Sequence, residues 1–509
     1  MDILTPCLYA EYGRYIGRFR QTPYYKDTLK IVQRRLMLVM STFPRNTLKK
    51  SARVIGETLG NYHPHGDMSV YDALLTLVNQ GYVHGRGNWG GKGKTDDKQA
   101  AYRYTECFLK SWVYDLAFEF SSQKYIDWED IEYELEPIYL ASPISLGLIG
   151  NGIITGISFY KTIIPKYKLI DLAKRLEWIL RKNNGKNGNP SNEDIPEENY
   201  DIDKYGPIIK PFIKDCKIFA TNKEFHNILT IGKGTFKTIP YGELKKCNRN
   251  MSPTGDYISV KGRSPNVTFS PLIKATVPNE KTKEIKLDLE IKAGNQKENE
   301  LIRIFPRRKK SVNGSMKNII KDIWENYLIK DIRVNCLVCI DENVIIDGEK
   351  KVIVKEEVRS IDQLLIYSYI EWRNAFLRKR IYDFEKEVEK YFSLCVLKEV
   401  REIFIKEKSK TVKNIIEKYF EKNKGINQNI LLEKYDIENQ KYIQYNRNIQ
   451  EKDIHDCVTK NSTKRIIEID IDTNTQIQKI IECKNNIANI DNDAYNRVLD
   501  LSQREIEYA

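Results

Sequence analysis

Glycine and proline are placed so unevenly along this chain that they limit its architecture before any other property is considered. The last of 17 prolines is Pro306, and after Gly348 the only glycine is Gly425. A tract without either residue from Glu349 to Lys424, rich in Leu, Ile, Lys and Glu, has nothing to interrupt a helical hydrogen-bond ladder and reads as long helix. Within it, Ile361–Lys408 carries apolar residues at mixed three- and four-residue steps, among them Leu364, Trp372, Phe376, Phe384, Val388 and Phe392. A continuous helix of those 48 residues at 1.5 Å rise would reach about 70 Å. That is too long for one compact domain, so the pattern predicts a projecting arm with a second helix packed along it. The tail Ile466–Ile506 has similar character and is the natural antiparallel partner.

The rest of the chain reads differently. Between 136 and 345, short apolar or alternating runs (Ile218–Thr221, Thr235–Ile239, Ile285–Ile291, Val334–Ile340) lie between Gly, Pro and Asn clusters, the pattern of an α+β region. Lys182–Asp203 reads as a polar loop. In the first 135 residues, Val32–Met40, Ala52–Gly60 and Ser69–Asn79 predict three short helices, followed by a glycine-rich loop, Gly85–Gly93, and a tyrosine-rich segment. Three helices and a glycine loop in a basic segment fit a helix-turn-helix or winged-helix DNA-binding module. No internal repeat is present.

Charge supports that reading. The formal net charge is +13, which favours nucleic acid or another anionic surface as partner. Residues 1–55 hold eleven cations (Arg14, Arg18, Arg20, Lys26, Lys30, Arg34, Arg35, Arg45, Lys49, Lys50, Arg53) against Asp2, Glu11 and Asp27, so +8 of the excess falls in a tenth of the chain. Phosphate binding uses such density, because each neutralised phosphate releases condensed counterions. Nine cysteines without a signal segment point to a reducing cytoplasm and no disulfide framework. Cys336 and Cys339 have metal-ligand spacing but lack a second nearby pair, and read as core strand thiols. Pro137–Tyr160 is uncharged for 24 residues, yet its glycines and prolines would leave backbone groups unsatisfied in lipid, so no membrane span is expected.

Three constellations could carry chemistry. His63 and His65 flank Pro64 just before a predicted helix, where imidazoles could donate to a phosphate oxygen or shuttle a proton. Gly85-Arg86-Gly87-Asn88-Trp89-Gly90 formally matches a dinucleotide-binding pattern but lacks the strand–helix context, and reads as a basic loop beside a nucleic-acid backbone. In Tyr102-Arg103-Tyr104 a guanidinium lies between two phenols. A phenol is a poor nucleophile at neutral pH unless a cationic field favours phenolate, and arginine also stabilises charge on a reacting phosphate. Spacing alone leaves Tyr102 and Tyr104 both open.

Taken together these stretches resemble the breakage-reunion subunit of type IIA DNA topoisomerases, the family of the gyrase A and topoisomerase IV C subunits. The matching residues are Asp27–Arg35, Lys49–Gly56, Tyr62-His63-Pro64-His65-Gly66-Asp67, Ser69–Asp72, Gly87–Gly90 and Ala100–Glu106, in the family's order and nearly its spacing. Weaker similarity continues through Asn151-Gly152-Ile153, Gly206-Pro207 and Gly232-Lys233-Gly234. The resemblance implies a multidomain α+β protein: an N-terminal arm (1–25), a winged-helix, CAP-like domain with the catalytic tyrosine (26–135), an α/β tower (136–345), and a long antiparallel coiled-coil arm with a C-terminal dimerisation gate (346–509). It makes Tyr104 the nucleophile that forms a 5′-phosphotyrosyl link, Arg103 its phosphate-stabilising neighbour, and Arg20, His63 and His65 further catalytic residues. It aligns Lys30, Arg34 and Arg35 with DNA-contacting positions, to which the basic residues Lys49, Lys50 and Arg53 are added. It also aligns Ile153 with a residue that wedges between bases to bend DNA. Tyr102 falls at a usually apolar position and is expected to be structural.

Departures from the family pattern carry expectations too. Ile31 replaces a usual proline, and His84-Gly85-Arg86 and Trp89 alter the glycine loop. Met68 stands where bacterial enzymes carry a serine beside the quinolone-binding helix, while Asp72 keeps the acidic partner. Weak quinolone sensitivity follows. No ATPase glycine motif or Toprim metal motif is found, and Asp201-Ile202-Asp203 and Asp470-Ile471-Asp472 read as surface acids. This chain is therefore expected to hold no metal itself. Mg²⁺ and ATP are expected on a gyrase B-like Toprim and ATPase partner, in an A2B2 heterotetramer built on a homodimer of this chain and acting on double-stranded DNA. Ending soon after the helical arm, without a wrapping domain, the chain is expected to support relaxation or decatenation rather than negative supercoiling. The expected location is the cytoplasm, with the nucleoid, or the host cytoplasm if the source is viral. Two rivals stand beside this reading: a winged-helix architectural dimer without cleavage, and a partner-independent tyrosine nuclease or recombinase.

Overall fold

The computed structural model describes residues 22–90, 98–131, 134–150, 153–157, 160–183, 201–246, 256–262, 270–277, 289–293, 300–306, 323–346, 349–406, 411–423, 429–461, 466 and 473–503. It is a mixed α+β protein in two compact units, one formed by 1–372 with 495–509 and the other by 373–494.

The first unit begins with three helices, α1 (Ile31–Ser41), α2 (Ser51–Asn61) and α3 (Asp67–Gln80). The apolar face of each closes on the others, burying Leu36, Met37, Met40, Val54, Ile55, Val70, Tyr71, Leu74 and Leu77 in one core. α3 stops where Gly81 takes a left-handed φ of 89° and its N–H returns to the last carbonyls. A three-stranded antiparallel sheet completes the module in the order β1 (Lys49–Lys50), β3 (Glu106–Leu109), β2 (Val83–Arg86). The expected glycine loop is thus partly strand. Gly85 can lie in β2 with Trp89 folded over it because a Cβ there would strike the Trp89 indole.

Asp27 ties this module to a later stretch of chain. Its buried carboxylate accepts from the backbone N–H groups of Leu29 (3.0 Å) and Leu140 (3.1 Å) and from Arg34 Nε (2.8 Å) and Nη2 (3.1 Å). Its carbonyl accepts from Gly147 N–H at 3.1 Å. Thr28, next in the chain, has a left-handed φ of 53°, and only glycine fits opposite it, since a Cβ on Gly147 would collide with Thr28.

After the hairpin β4 (Trp128–Ile131) and β5 (Glu134–Pro137) come two larger antiparallel sheets. One has five strands in the order β6 (Ile153–Ile157), β7 (Tyr160–Ile164), β14 (Lys330–Asn335), β9 (Lys233–Pro240), β8 (Cys216–Phe219). The other has four, β10 (Gly242–Lys246), β11 (Asp256–Val260), β13 (Ile302–Pro306), β12 (Leu289–Ala293), over a core of Ile258, Val260, Ile291, Ile302 and Ile304. Cys336 interrupts the expected strand Val334–Ile340, and a long hairpin follows, β15 (Leu337–Ile346) with β16 (Glu349–Val358). The helix expected from Glu349 therefore begins later, at Ile361. Val352, Ile353, Val354 and Val358 supply the β-branched content that favours strand over helix here. Cys336 and Cys339 are buried thiols. No helix among the described residues is long and apolar enough to cross a membrane.

The boundary between the units falls inside the 46-residue helix Ile361–Lys406. In the second unit its residues Phe384, Phe392, Val396, Val400 and Phe404 share a core with Ile415, Ile454 and Ile487 from the shorter helices that follow. Arg373 pairs with Asp491 at 2.6 Å, Arg380 with Asp493 at 2.5 Å, and Gln476 Nε2 donates to Glu387 at 2.7 Å, so the long helix and the helical tail run antiparallel. The unit also contains a hairpin, Asn429–Asp436 with Lys441–Asn448, between the two stretches expected to be helical. Of the expected loop Lys182–Asp203, residues 184–200 lie outside the described residues, as does Asp470–Asp472.

Asp27→Asn would leave the Arg34 guanidinium buried without its counter-charge. Unfolding by urea, followed by tryptophan fluorescence, should show a loss of about 3–5 kcal/mol. A loss below about 1 kcal/mol would contradict the role given to Asp27.

Candidate active site

Tyr102, Arg103 and Tyr104 form one turn of 3₁₀ helix between an extended segment and β3. What fixes the turn is its neighbour Thr105, which is buried. Thr105 Oγ1 donates to Ser51 Oγ at 2.8 Å, and Ser51 N–H donates to the Thr105 carbonyl at 3.0 Å. Tyr71 from α3 adds a bond from its hydroxyl to the Ala100 carbonyl at 2.7 Å. The turn is thereby held to the start of α2 and the side of α3.

The two phenols face opposite environments. Tyr102 donates to Asp67 Oδ2 at 2.9 Å and packs edge-on to Tyr71 at 5.7 Å. That hydrogen bond to a carboxylate, with the carboxylate's charge, raises the Tyr102 pKa. Tyr104 is 67% exposed, and the Arg103 guanidinium lies 4.8 Å from its ring centroid. A hydrogen bond from Arg103, with its positive charge, lowers the Tyr104 pKa. Spacing alone left the choice between the phenols open; of the two, Tyr104 is the exposed one beside a guanidinium and Tyr102 the one bound to a carboxylate.

Cations border this turn on adjacent elements. Glu106, the central residue of its sheet row, pairs with Lys50 at 2.9 Å and Arg86 at 3.8 Å. The hydrogen bond from Lys50 and the charge on both cations lower the Glu106 pKa. Lys49 and Arg53 lie 5.8 and 5.1 Å from the Phe43 ring, and Arg53 also pairs with Glu57 at 2.8 Å. Lys30, just before α1, is half-buried, and burial lowers its pKa. Arg34 and Arg35 depart from expectation. They are 5% and 6% exposed and face buried carboxylates, Arg34 on Asp27 and Arg35 on Glu136, so neither offers its guanidinium to a phosphate. A helix facing both core and chain crossing must neutralise these cations internally.

His63 and His65 follow the C-terminal end of α2, with the His63 N–H donating to the Thr58 carbonyl at 2.8 Å. Their rings stack at 4.0 Å and 9°. α2 holds the tyrosine turn at its start and the histidines after its end, a span of about 16 Å for an eleven-residue helix. Among the described residues no hydrogen bond or ring contact joins the histidine pair to Tyr104. Met68 is exposed in the first turn of α3, and Gln99 Nε2 donates to Asp72 Oδ1 at 3.1 Å. His84 stacks on Phe108 at 4.7 Å. Arg20 lies outside the described residues. The backbone of Ile153 opens β6 opposite Ile164, and its side chain lies outside what is described. Among the described residues no group of three or more His, Cys, Asp or Glu side chains is arranged to hold a metal ion.

Sequence reasoning missed Asp27, Glu136 and Ser51 as determinants of this site. Asp27 sits inside the basic stretch Asp27–Arg35, whereas Glu136 lies 101 residues from its partner and carries no local signal.

A family model described as the DNA gyrase/topoisomerase IV A subunit matches residues 20–497. The DNA gyrase A subunit of Mycobacterium tuberculosis is 35% identical over 261 residues, covering 48% of this chain and 29% of that protein. The DNA gyrase A subunit of Mycolicibacterium smegmatis is 35% identical over 189 residues, covering 34% of this chain and 21% of the relative. The DNA topoisomerase 4 A subunit of Haemophilus influenzae is 31% identical over 242 residues, 45% of this chain and 30% of the relative. The matched stretches span less than a third of each relative's length. This chain belongs to the DNA gyrase/topoisomerase IV A-subunit family.

Carbon-13 labelling at the tyrosine Cζ, with the Tyr104 signal assigned through Tyr104→Phe, should show Tyr104 ionising below the ordinary phenol range. Arg103→Gln should move that ionisation upward, because the cation that favours phenolate is gone. An unchanged titration would show that Arg103 does not act on this phenol.

Proposed function

We propose that this chain is the DNA-cleaving and religating subunit of an ATP-dependent type II DNA topoisomerase. The observation that carries the reading is Tyr104: an exposed phenol on a rigidly held turn, with a guanidinium lowering its pKa and a basic border alongside. Attack of the Tyr104 oxygen on a DNA phosphorus forms a tyrosyl O–P bond and breaks the P–O3′ bond, leaving a 5′-phosphotyrosyl link and a 3′-hydroxyl. The new ester retains the bond energy, so resealing by the same hydroxyl needs no ATP. Arg103 stabilises charge on the phosphoryl oxygens as it builds. Lys49, Lys50, Arg53 and Lys30 hold neighbouring phosphates, with Arg20 from the N-terminal arm as a further cation at the site. His63 and His65 serve as donors near the reacting phosphate, and Ile153 wedges between bases to bend the duplex.

In this reading the three helices and small sheet are a winged-helix module, the two larger sheets belong to the tower, and the long helix with its antiparallel tail is the arm that ends in a dimerisation gate. Two copies of Tyr104, one per protomer, cut opposite strands. A gyrase B-like partner supplies Mg²⁺ through a Toprim domain and ATP hydrolysis for strand passage, in an A2B2 assembly in the cytoplasm.

Incubation with DNA and Mg²⁺, with and without the partner protein, followed by denaturation, tests this. Covalent protein–DNA adducts should form only with the partner, and Tyr104→Phe should abolish them. Adducts without the partner would indicate a self-sufficient nuclease or recombinase. DNA binding without adducts under any condition would indicate an architectural protein.

Met68 replaces a hydroxyl with an exposed thioether beside Asp72. Low quinolone concentrations should therefore trap little cleaved DNA, and Met68→Ser should increase the trapped fraction. Efficient trapping by the unmodified enzyme would contradict the role given to Met68.

A further inference from the structure

We infer that Glu136 and Arg35 are positioning residues that fix the protonation form of His63. Arg35 uses its guanidinium on two sides. Nε donates to Glu136 Oε2 at 2.6 Å and Nη2 to Glu136 Oε1 at 2.8 Å, a two-bond fork. Nη1 faces away from that fork and lies 2.8 Å from His63 Nδ1. All three residues are buried, with His63 7% exposed.

A guanidinium has N–H donors and no acceptor. The contact is therefore a hydrogen bond only if His63 Nδ1 offers a lone pair. The proton of the neutral ring then sits on Nε2, because the bond made by one ring nitrogen decides the state of the other. An imidazolium at His63 would set an N–H against the Arg35 N–H and place a cation beside a buried cation. Stacking extends the consequence, because two charged rings face to face at 4.0 Å would repel. Any positive charge in the histidine pair thus resides on His65, and His63 is held as a neutral Nε2–H donor.

Glu136 is needed for this arrangement. Its carboxylate neutralises Arg35, which could otherwise not be buried, and its two oxygens fix the guanidinium plane so that Nη1 points at His63. The consecutive arginines of α1 thus divide their tasks, Arg34 anchoring Asp27 and Arg35 orienting His63. Resting on the cleavage reading above, the functional step is that a donor of fixed direction stabilises charge on the scissile phosphate without reorganising.

Selective nitrogen-15 labelling of the five histidines, with His63 assigned through His63→Gln, reads the tautomer directly in the full chain. The wild type should show His63 with its proton on Nε2. Glu136→Gln should shift that signal toward a mixture of tautomers. With the partner protein present, the same variant should lower covalent adduct roughly tenfold or more while DNA affinity is unchanged. Should Glu136→Gln fail to fold, the amide of Gln mimics Nε2 and that of Asn mimics Nδ1. His63→Gln should then cleave more DNA than His63→Asn. A wild-type proton on Nδ1 overturns the inference whether or not the protein cleaves DNA. Undiminished cleavage by folded Glu136→Gln overturns the positioning role, as does His63→Asn matching or exceeding His63→Gln. A wild type that forms no adduct counts against the cleavage reading, and the tautomer measurement still decides the state of His63.

Discussion

Two buried ion pairs on one turn of helix, Arg34 with Asp27 and Arg35 with Glu136, are the constraint from which the site is built. Burying four charges is costly unless each carboxylate and guanidinium finds its hydrogen bonds, and here they do. Asp27 bonds to the backbone at Leu29 and Leu140, and its carbonyl holds Gly147. Glu136 receives two donors from Arg35. Hydrophobic packing could join α1 to these segments in several registers. The two pairs permit one, and the position of α2, with the tyrosine turn at one end and the histidines at the other, follows from it.

A nucleophile that acts on a duplex faces two demands that oppose each other. It must be exposed enough to meet a macromolecule and rigid enough to meet one phosphorus. Tyr104, the nucleophile proposed here, meets both because its turn is held through its neighbour. Thr105 is bonded to Ser51, while Tyr71 holds Ala100 upstream. The contrast with Tyr102 lies in the environment rather than the residue type, since a carboxylate raises the pKa of one phenol and a guanidinium lowers that of the other. Charge near the turn is likewise moderated, with Glu106 set between Lys50 and Arg86.

Much of this was legible in the sequence, for identifiable reasons. The three helices of the basic segment appear within about two residues of their predicted bounds, because their apolar periodicity is strong and Gly81 ends the third. The long helix from Ile361 and its antiparallel tail were legible because neither glycine nor proline interrupts them. The hairpin from Glu349 was not, since absence of helix breakers is equally compatible with a strand when β-branched residues cluster. Nor was the burial of Arg34 and Arg35. Arginine reads as surface in any local window, and their carboxylate partners include one 101 residues away. Basic density over residues 1–55 therefore overstated the exposed positive charge, because these two guanidiniums are buried.

The central claim is that Tyr104, and not its neighbour two residues earlier, becomes joined to DNA. The most direct measurement is mass spectrometry of denatured adduct after nuclease and protease digestion, mapping the nucleotide onto the peptide that contains Tyr102, Arg103 and Tyr104. The account predicts a phosphodiester on the Tyr104 oxygen, linked to a 5′ end. A nucleotide carried by Tyr102, or by any other residue, would contradict it.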